Sequence, residues 1–222
     1  KESKIMIKMY ADATGLDFAI TSGQVDVAFR HLTVPQYDAI KSNPNLRFWK
    51  GTGAFIQYIC FQEKHKPYDQ PEVRQAIAAA INRSEICSTV YLGLADPLYS
   101  MIPNGYAFHE DSFKNLLGTT NLTKSVALLA KHGYSASNKL KVNITYESSG
   151  HYPQSAELVQ AIKSELEKTG VMTVSLNGLD WSAYKKFART NEQADVYIYG
   201  WYPDFIDADD YALPFLSAIG NG

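Results

Sequence analysis

Apolar and polar residues follow two different periods along the chain, and these periods alternate. In the first part of the chain, alternation of single apolar residues is typical of strands. It predicts strands over residues 5–10, 25–29, 46–50 and 55–61. A short helix is predicted around residues 16–21, and Thr33 and Pro35 begin another that ends at Asn43-Pro44.

After residue 69 the predicted helices lengthen and alternate regularly with strands. Pro71 begins a helix in which Val73, Ile77 and Ala80 fall on one buried face. Residues 93–113 show little periodicity and many turn formers. Beyond them, helices near residues 126–130, 158–166 and 181–188 alternate with strands over residues 142–146, 171–176 and 196–199. This order predicts an α/β fold, a mixed β-sheet flanked by helices.

Length and composition fit one domain. The 222 residues are 45% hydrophobic, enough to bury a core, and no linker or repeat divides residues 1–222. The charges nearly cancel, with 21 basic and 23 acidic residues, so we expect no nucleic-acid partner. The chain begins without Met and ends in a turn-like sequence, which we interpret as a fragment or processed form.

Catalytic and metal-binding signatures are absent from the sequence. It contains no nucleophile elbow, Walker loop or zinc-protease motif, and its five histidines are scattered. We therefore expect no catalytic residue, no metal and no cofactor. Cys60 and Cys87 allow one disulfide or two buried thiols, and the sequence does not decide between them.

One segment stands out chemically, residues 199–211, which follows a predicted buried strand. It combines aromatic residues with four carboxylates and contains no lysine or arginine. The carboxyl ends of strands are where α/β sheets place ligands. A carboxylate among aromatic rings gains strongly by meeting an ammonium group. The candidate ligand-binding residues are Gly200, Trp201, Tyr202, Asp204 and Asp207.

Three other interpretations of the segment stay open. Asp207 or Asp209 could cap the following helix. The carboxylates could hold calcium, although the glycine and the distal glutamate of an EF-hand are missing. Asp204, Asp207 and Asp209 could also serve a glycoside hydrolase, for which the separation of two carboxylates decides the mechanism.

Several segments, in order, resemble the peptide and nickel-type (family 5) solute-binding proteins of ATP-driven (ABC) importers. The resemblance rests on residues 22–28, 68–77, 80–83, 93–97, 102–103 and 128–134, and on Gly200-Trp201 with Asp204, Asp207 and Phe215-Leu216. It covers nearly the whole chain. The chain departs from the family pattern at residues 61–64 and 124–126, outside the candidate ligand segment.

The resemblance implies one lobe of a periplasmic-binding-protein-like type II fold, in which two lobes close on a ligand. This chain is then the second, C-terminal lobe, and its partners are the missing N-terminal lobe, a peptide or other small solute, and the membrane permease. Oligosaccharides and nickel or other metal chelates are alternative ligands. The expected location is extracytoplasmic, periplasmic or anchored at the cell surface. By resemblance, Asp204 stands where peptide-binding members hold the ligand's amino terminus.

Overall fold

The computed structural model describes residues 4–29, 32–190 and 195–216. The chain divides into two compact units, Lys1–Lys50 and Gly51–Gly222. The prediction of a single lobe over residues 1–222 stays a prediction. Within the described residues, no helix is long and apolar enough to cross a membrane.

The first unit contains two short helices with side-chain caps. Helix α1, Ala13–Thr21, begins after Asp12, whose side chain accepts a hydrogen bond from the Gly15 amide at 2.8 Å. Helix α2, Val34–Lys41, begins with a reciprocal capping box between Thr33 and Gln36. These caps satisfy amides that lack a partner in the first turn, which explains why both predicted helices form.

The three strands predicted in this unit, over residues 5–10, 25–29 and 46–50, are wrong. None of the described residues there lies in a strand. The alternating residues Ile5, Ile7 and Met9 are 87%, 84% and 90% exposed, so alternation does not bury one face here. A strand forms only when a second strand completes its hydrogen bonds. Alternation of apolar residues within one segment favours an extended backbone, but it does not show whether a second strand lies beside that segment.

The second unit contains a four-stranded sheet and seven helices among its described residues. The strands are β1 Ile56–Phe61, β2 Leu140–Glu147, β3 Met172–Leu179 and β4 Val196–Trp201. The helices are α3 Pro71–Ala80, α4 Arg83–Thr89, α5 Ser112–Leu117, α6 Leu122–Ala130, α7 Ser155–Glu167, α8 Trp181–Thr190 and α9 Asp209–Leu216. The predicted mixed α/β class is confirmed.

The sheet has the order β1-β4-β2-β3. Strand β2 pairs in parallel with β3 and with β4, whereas β1 pairs antiparallel with β4. The parallel pairs require helical crossovers, which α7 and α8 provide. The sheet is therefore mixed because its first strand runs against the other three.

The main core lies between the sheet and helices α3, α6 and α7. Its fully buried residues include Val73 and Ile77 of α3, Leu129 of α6, Leu166 of α7 and Ile198 of β4. The apolar positions in α3 recur at helical spacing, so they face this core together.

Cys60 and Cys87 are not joined by a disulfide, which answers the question that the sequence left open. Cys60 lies in β1, and burial raises the pKa of its thiol to about 12. A thiol with so high a pKa is protonated at neutral pH and therefore unreactive. Cys60 is a packing residue.

Candidate ligand-binding site

The candidate site lies at the edge of the sheet where the parallel strands end. Strands β2 and β3 end there at Glu147 and Leu179, which are paired in register, and β4 ends there at Trp201. Because β1 is antiparallel, it begins at the same edge, with Ile56 opposite Trp201. Open α/β sheets bind ligands outside this edge. The loops at this edge come from distant parts of the sequence.

Gly200 is needed at this edge because two aromatic rings occupy the space of a side chain. A Cβ atom at position 200 would lie 2.8 Å from ring atoms of both Phe55 and Tyr152. That separation is far below a normal carbon–carbon contact of about 3.5–4.0 Å. The Tyr152 hydroxyl also donates a hydrogen bond to the Gly200 carbonyl at 3.4 Å. Gly200 thus lets the two rings close over the strand.

These rings belong to a continuous group of five aromatic side chains, here called the aromatic wall: Phe55, His151, Tyr152, Trp181 and Tyr202. Phe55 stacks on Tyr202 with centroids 4.2 Å apart, and on Tyr152 at 6.1 Å. His151 stacks on Trp181 at 3.5 Å. Tyr202 is 45% exposed and His151 is exposed, so parts of the wall face solvent. Such surfaces offer apolar faces with polar edges to a ligand.

Glu147 holds the loop that places His151 and Tyr152 in this wall. Its side chain is fully buried and accepts hydrogen bonds from the amides of Ser149 at 2.5 Å, His151 at 2.8 Å and Tyr152 at 3.3 Å. The Ser149 hydroxyl donates a further hydrogen bond to the same carboxylate. A buried carboxylate needs such donors, because burial without them is costly.

The same loop is connected to the start of α8. The Trp181 amide donates a hydrogen bond to the Ser149 hydroxyl oxygen at 3.0 Å. Asp180 accepts from the amides of Ser182 and Ala183 at 2.9 and 3.1 Å, which caps the first turn of α8. The Trp181 ring is therefore positioned through its own backbone and through Glu147.

A second buried carboxylate, Asp210, organises the turn after β4. It accepts hydrogen bonds from the Trp201 indole nitrogen at 3.1 Å and from the Asp204 amide at 2.9 Å. The Trp201 ring also packs edge-on against Phe215 of α9, with centroids 4.9 Å apart. The turn is thus anchored on α9 where it begins, at Trp201, and three residues later, at Asp204.

The structure brings the five predicted ligand residues to one place with different exposures. Asp204, Asp207 and Tyr202 are exposed, Trp201 is half-buried and Gly200 is buried in the sheet. Asp207 accepts a hydrogen bond from the Asp209 amide at 3.0 Å, at the start of α9. Asp207 thus bonds to the first residue of α9 from two positions before it, and the capping interpretation of Asp207 stays a prediction. The ligand-binding roles of all five residues stay predictions.

Sequence reasoning missed six residues that build this edge: Phe55, Glu147, His151, Tyr152, Trp181 and Asp210. Four of them could have been found by their position, since Glu147, His151, Tyr152 and Trp181 end or closely follow a parallel strand. Within residues 4–29, 32–190 and 195–216, no three His, Cys, Asp or Glu side chains are grouped to hold a metal ion. The carboxylates after β4 are not drawn together as a calcium cluster would be.

A mixed four-stranded sheet flanked by helices is the architecture expected of a periplasmic-binding-protein type II fold. The family profile described as "Bacterial extracellular solute-binding proteins, family 5 Middle" matches residues 1–222. The chain belongs to this family. The resemblance found in the sequence is confirmed.

Relatives of the chain carry the names of binding proteins. It is 26% identical over 220 residues to heme-binding protein A of Haemophilus influenzae, covering 98% of this chain and 39% of that protein. It is 26% identical over 174 residues to di/tripeptide-binding protein 1 of Pseudomonas aeruginosa, covering 78% of this chain and 32% of that protein. The chain thus spans about two-fifths or less of these relatives.

A solved structure has the same fold. Haemophilus influenzae OppA in complex with RPPGFSPFR superposes with a TM-score of 0.78 at 21% identity, covering 95% of this chain and 42% of that one. At this identity the likeness establishes the fold alone.

Proposed function

We propose that the protein binds peptides with a free amino terminus and passes them to the permease of an ABC importer, without covalent chemistry. The ligand lies between the sheet edge described above and a second lobe of the full-length protein. The observation that carries this proposal is the exposed residue Asp204, two residues after Tyr202 of the aromatic wall, whose backbone amide is held by the buried Asp210 carboxylate.

The charge around Asp204 supports a cationic ligand group. The segment 199–211 carries four carboxylates and no basic residue, so the potential at its surface is negative. When a second lobe closes over this surface and excludes water, an ammonium group gains from a direct ion pair. A peptide's amino terminus is such a group.

The aromatic wall favours binding of peptides whose side chains differ from one peptide to the next. Rings present flat, sequence-tolerant contact area, and the tyrosine hydroxyls and the His151 ring can bind through water. An extended peptide backbone can be held by main-chain hydrogen bonds regardless of its side chains. The wall, with Tyr202 exposed above Phe55, fits side chains of many sizes.

The delivery role rests on family membership and on two-lobe closure. Closure lets one protein bind a solute and present a changed surface to a permease. The relative named for di- and tripeptides favours a peptide over the sugar and metal-chelate alternatives, whereas the relative named for haem indicates a competing ligand.

A competition experiment tests the ligand class. Full-length protein, unfolded and refolded to remove bound solutes, is mixed with free and N-acetylated alanine peptides of two to five residues, maltooligosaccharides, nickel–histidine and haem. Mass spectrometry then identifies what remains bound after gel filtration. We expect free peptides to be retained and the acetylated peptides to bind about 100-fold more weakly.

Preferential retention of sugar, haem or nickel chelate would contradict the proposal and select one of the other ligands. Turnover of a glycoside by the same preparation would favour a hydrolase that uses Asp204, Asp207 and Asp209.

A further inference from the structure

We propose that Asp210 is a positioning residue of the ligand site: its buried carboxylate fixes the Asp204 backbone and the Trp201 ring and thereby sets the affinity for a ligand's ammonium group. This inference rests on the proposed function. Asp210 is not itself at the surface, since only 5% of it is exposed, so it acts through the residues that it holds.

The geometry is specific. A single oxygen, Oδ2 of Asp210, accepts both the Trp201 indole N–H at 3.1 Å and the Asp204 amide at 2.9 Å. These donors lie nine and six residues before Asp210 in the sequence, the first at the end of β4 and the second three residues further on, within the turn. Because the acceptor is a carboxylate, both hydrogen bonds are charge-assisted and stronger than hydrogen bonds between neutral groups. Together they fix the path of the backbone from the end of β4 to Asp204.

The middle of the turn is exposed to solvent. Phe205, Ile206 and Asp207 are all exposed, and Ile206 is 84% exposed. Residues 202–207 contact the rest of the protein through the Tyr202–Phe55 stack, the hydrogen bond from the Asp204 amide to Asp210 and the hydrogen bond that Asp207 accepts from the Asp209 amide. Without the Asp210 acceptor, the Asp204 carboxylate would sample many positions. A ligand whose ammonium group needs the Asp204 carboxylate in one position then binds more weakly, because the carboxylate must become ordered on binding.

Four variants of the full-length protein separate positioning from charge. Asp210→Ala removes both hydrogen bonds, whereas Asp210→Asn keeps an oxygen that can accept both and removes only the charge. Asp210→Ser keeps a polar group whose short hydroxyl cannot reach both donors, and replaces the alanine variant if that one does not fold. Asp209→Ala is the matched control, because it removes the same charge from the exposed neighbour.

The readout is the ratio of dissociation constants for N-acetyl-trialanine and trialanine, measured by calorimetry. We expect a ratio of about 100 in the wild type, about 10 or less in Asp210→Ala and in Asp210→Ser, and a return toward the wild-type ratio in Asp210→Asn. Asp209→Ala should change the ratio by no more than about 3-fold. A residue that only stabilises the fold would weaken both peptides equally and leave the ratio unchanged.

The double variant Asp204→Asn/Asp210→Ala measures the energetic coupling between the two residues. If Asp210 acts through Asp204, the double variant has the same ratio as Asp204→Asn alone. An unchanged ratio in Asp210→Ala, or equal losses in Asp210→Ala and Asp210→Asn, overturns the positioning role while the proposed function stands. An unchanged ratio in Asp204→Asn overturns the proposed function itself and this inference with it.

Discussion

Replacing Asp204 with asparagine in the full-length protein is expected to weaken the binding of free peptides by about 100-fold or more. On closure, the ammonium group of the ligand leaves water, and the exposed Asp204 carboxylate becomes its partner. Removing one partner of a desolvated pair typically costs about 3–5 kcal/mol, because the other charge is left unpaired. Isothermal calorimetry with trialanine measures this loss directly.

The N-acetylated peptide is the control for this prediction. It has no ammonium group, so it binds the wild type weakly and should lose little further affinity in Asp204→Asn. Asp209→Asn is the matched protein control, since Asp209 is also exposed and lies in the same acidic segment. If Asp204→Asn binds free and acetylated peptides as the wild type does, Asp204 is a turn residue and the ligand class must be reconsidered.

Replacing Glu147 with alanine is expected to destabilise the loop over residues 148–152 by about 3–5 kcal/mol. The Glu147 carboxylate is the acceptor for three amides and a hydroxyl, and the Tyr152 amide among them is buried. Each hydrogen bond to a charged group contributes about 1.5–3 kcal/mol, and the losses overlap because one loop makes them all. Peptide affinity should fall as well, since His151 and Tyr152 leave the aromatic wall.

Hydrogen exchange of the full-length protein, resolved by mass spectrometry, measures the local loss. Glu165→Ala provides the matched control, because Glu165 is similarly buried but forms an ion pair with Lys168, which is half-exposed. A pair with one solvated partner contributes about 1 kcal/mol or less. Equal effects of the two substitutions on exchange in residues 148–152 would show that Glu147 does not organise this loop.

The sequence predicts the second unit better than the first, for a physical reason. The helix that begins at Pro71 and the strands 142–146 and 171–176 carry strong periodicity, and each is held by a core that the same pattern marks. Residues 5–10 alternate just as clearly and form no strand. Helical hydrogen bonds are local, whereas strand hydrogen bonds depend on a distant partner that a single segment cannot reveal.

The candidate site shows the same limit. Gly200, Trp201, Tyr202 and Asp204 are predictable because they are consecutive or nearly so and follow one buried strand. Phe55 is not predictable in this way, since it reaches the edge only through the antiparallel pairing of β1 with β4. The aromatic wall is thus a product of sheet topology.

The two buried carboxylates were missed for a different reason. Glu147 ends β2 within an ordinary strand pattern, and Asp210 lies among exposed acidic residues, so neither looks unusual in sequence. Their roles depend on burial and on backbone donors that converge from a folded loop. Charge, by contrast, can be read directly from the sequence, so the acidic segment marks the turn after β4 as a candidate site.

The most direct test of the account is a crystal structure of the full-length protein with a bound peptide. We predict that the peptide's amino nitrogen lies about 2.7–2.9 Å from a carboxylate oxygen of Asp204, the distance of a charge-assisted hydrogen bond. We also predict that the first side chain of the peptide contacts the aromatic wall. A peptide whose amino terminus lies elsewhere, with the Asp204 carboxylate facing water, would contradict the account.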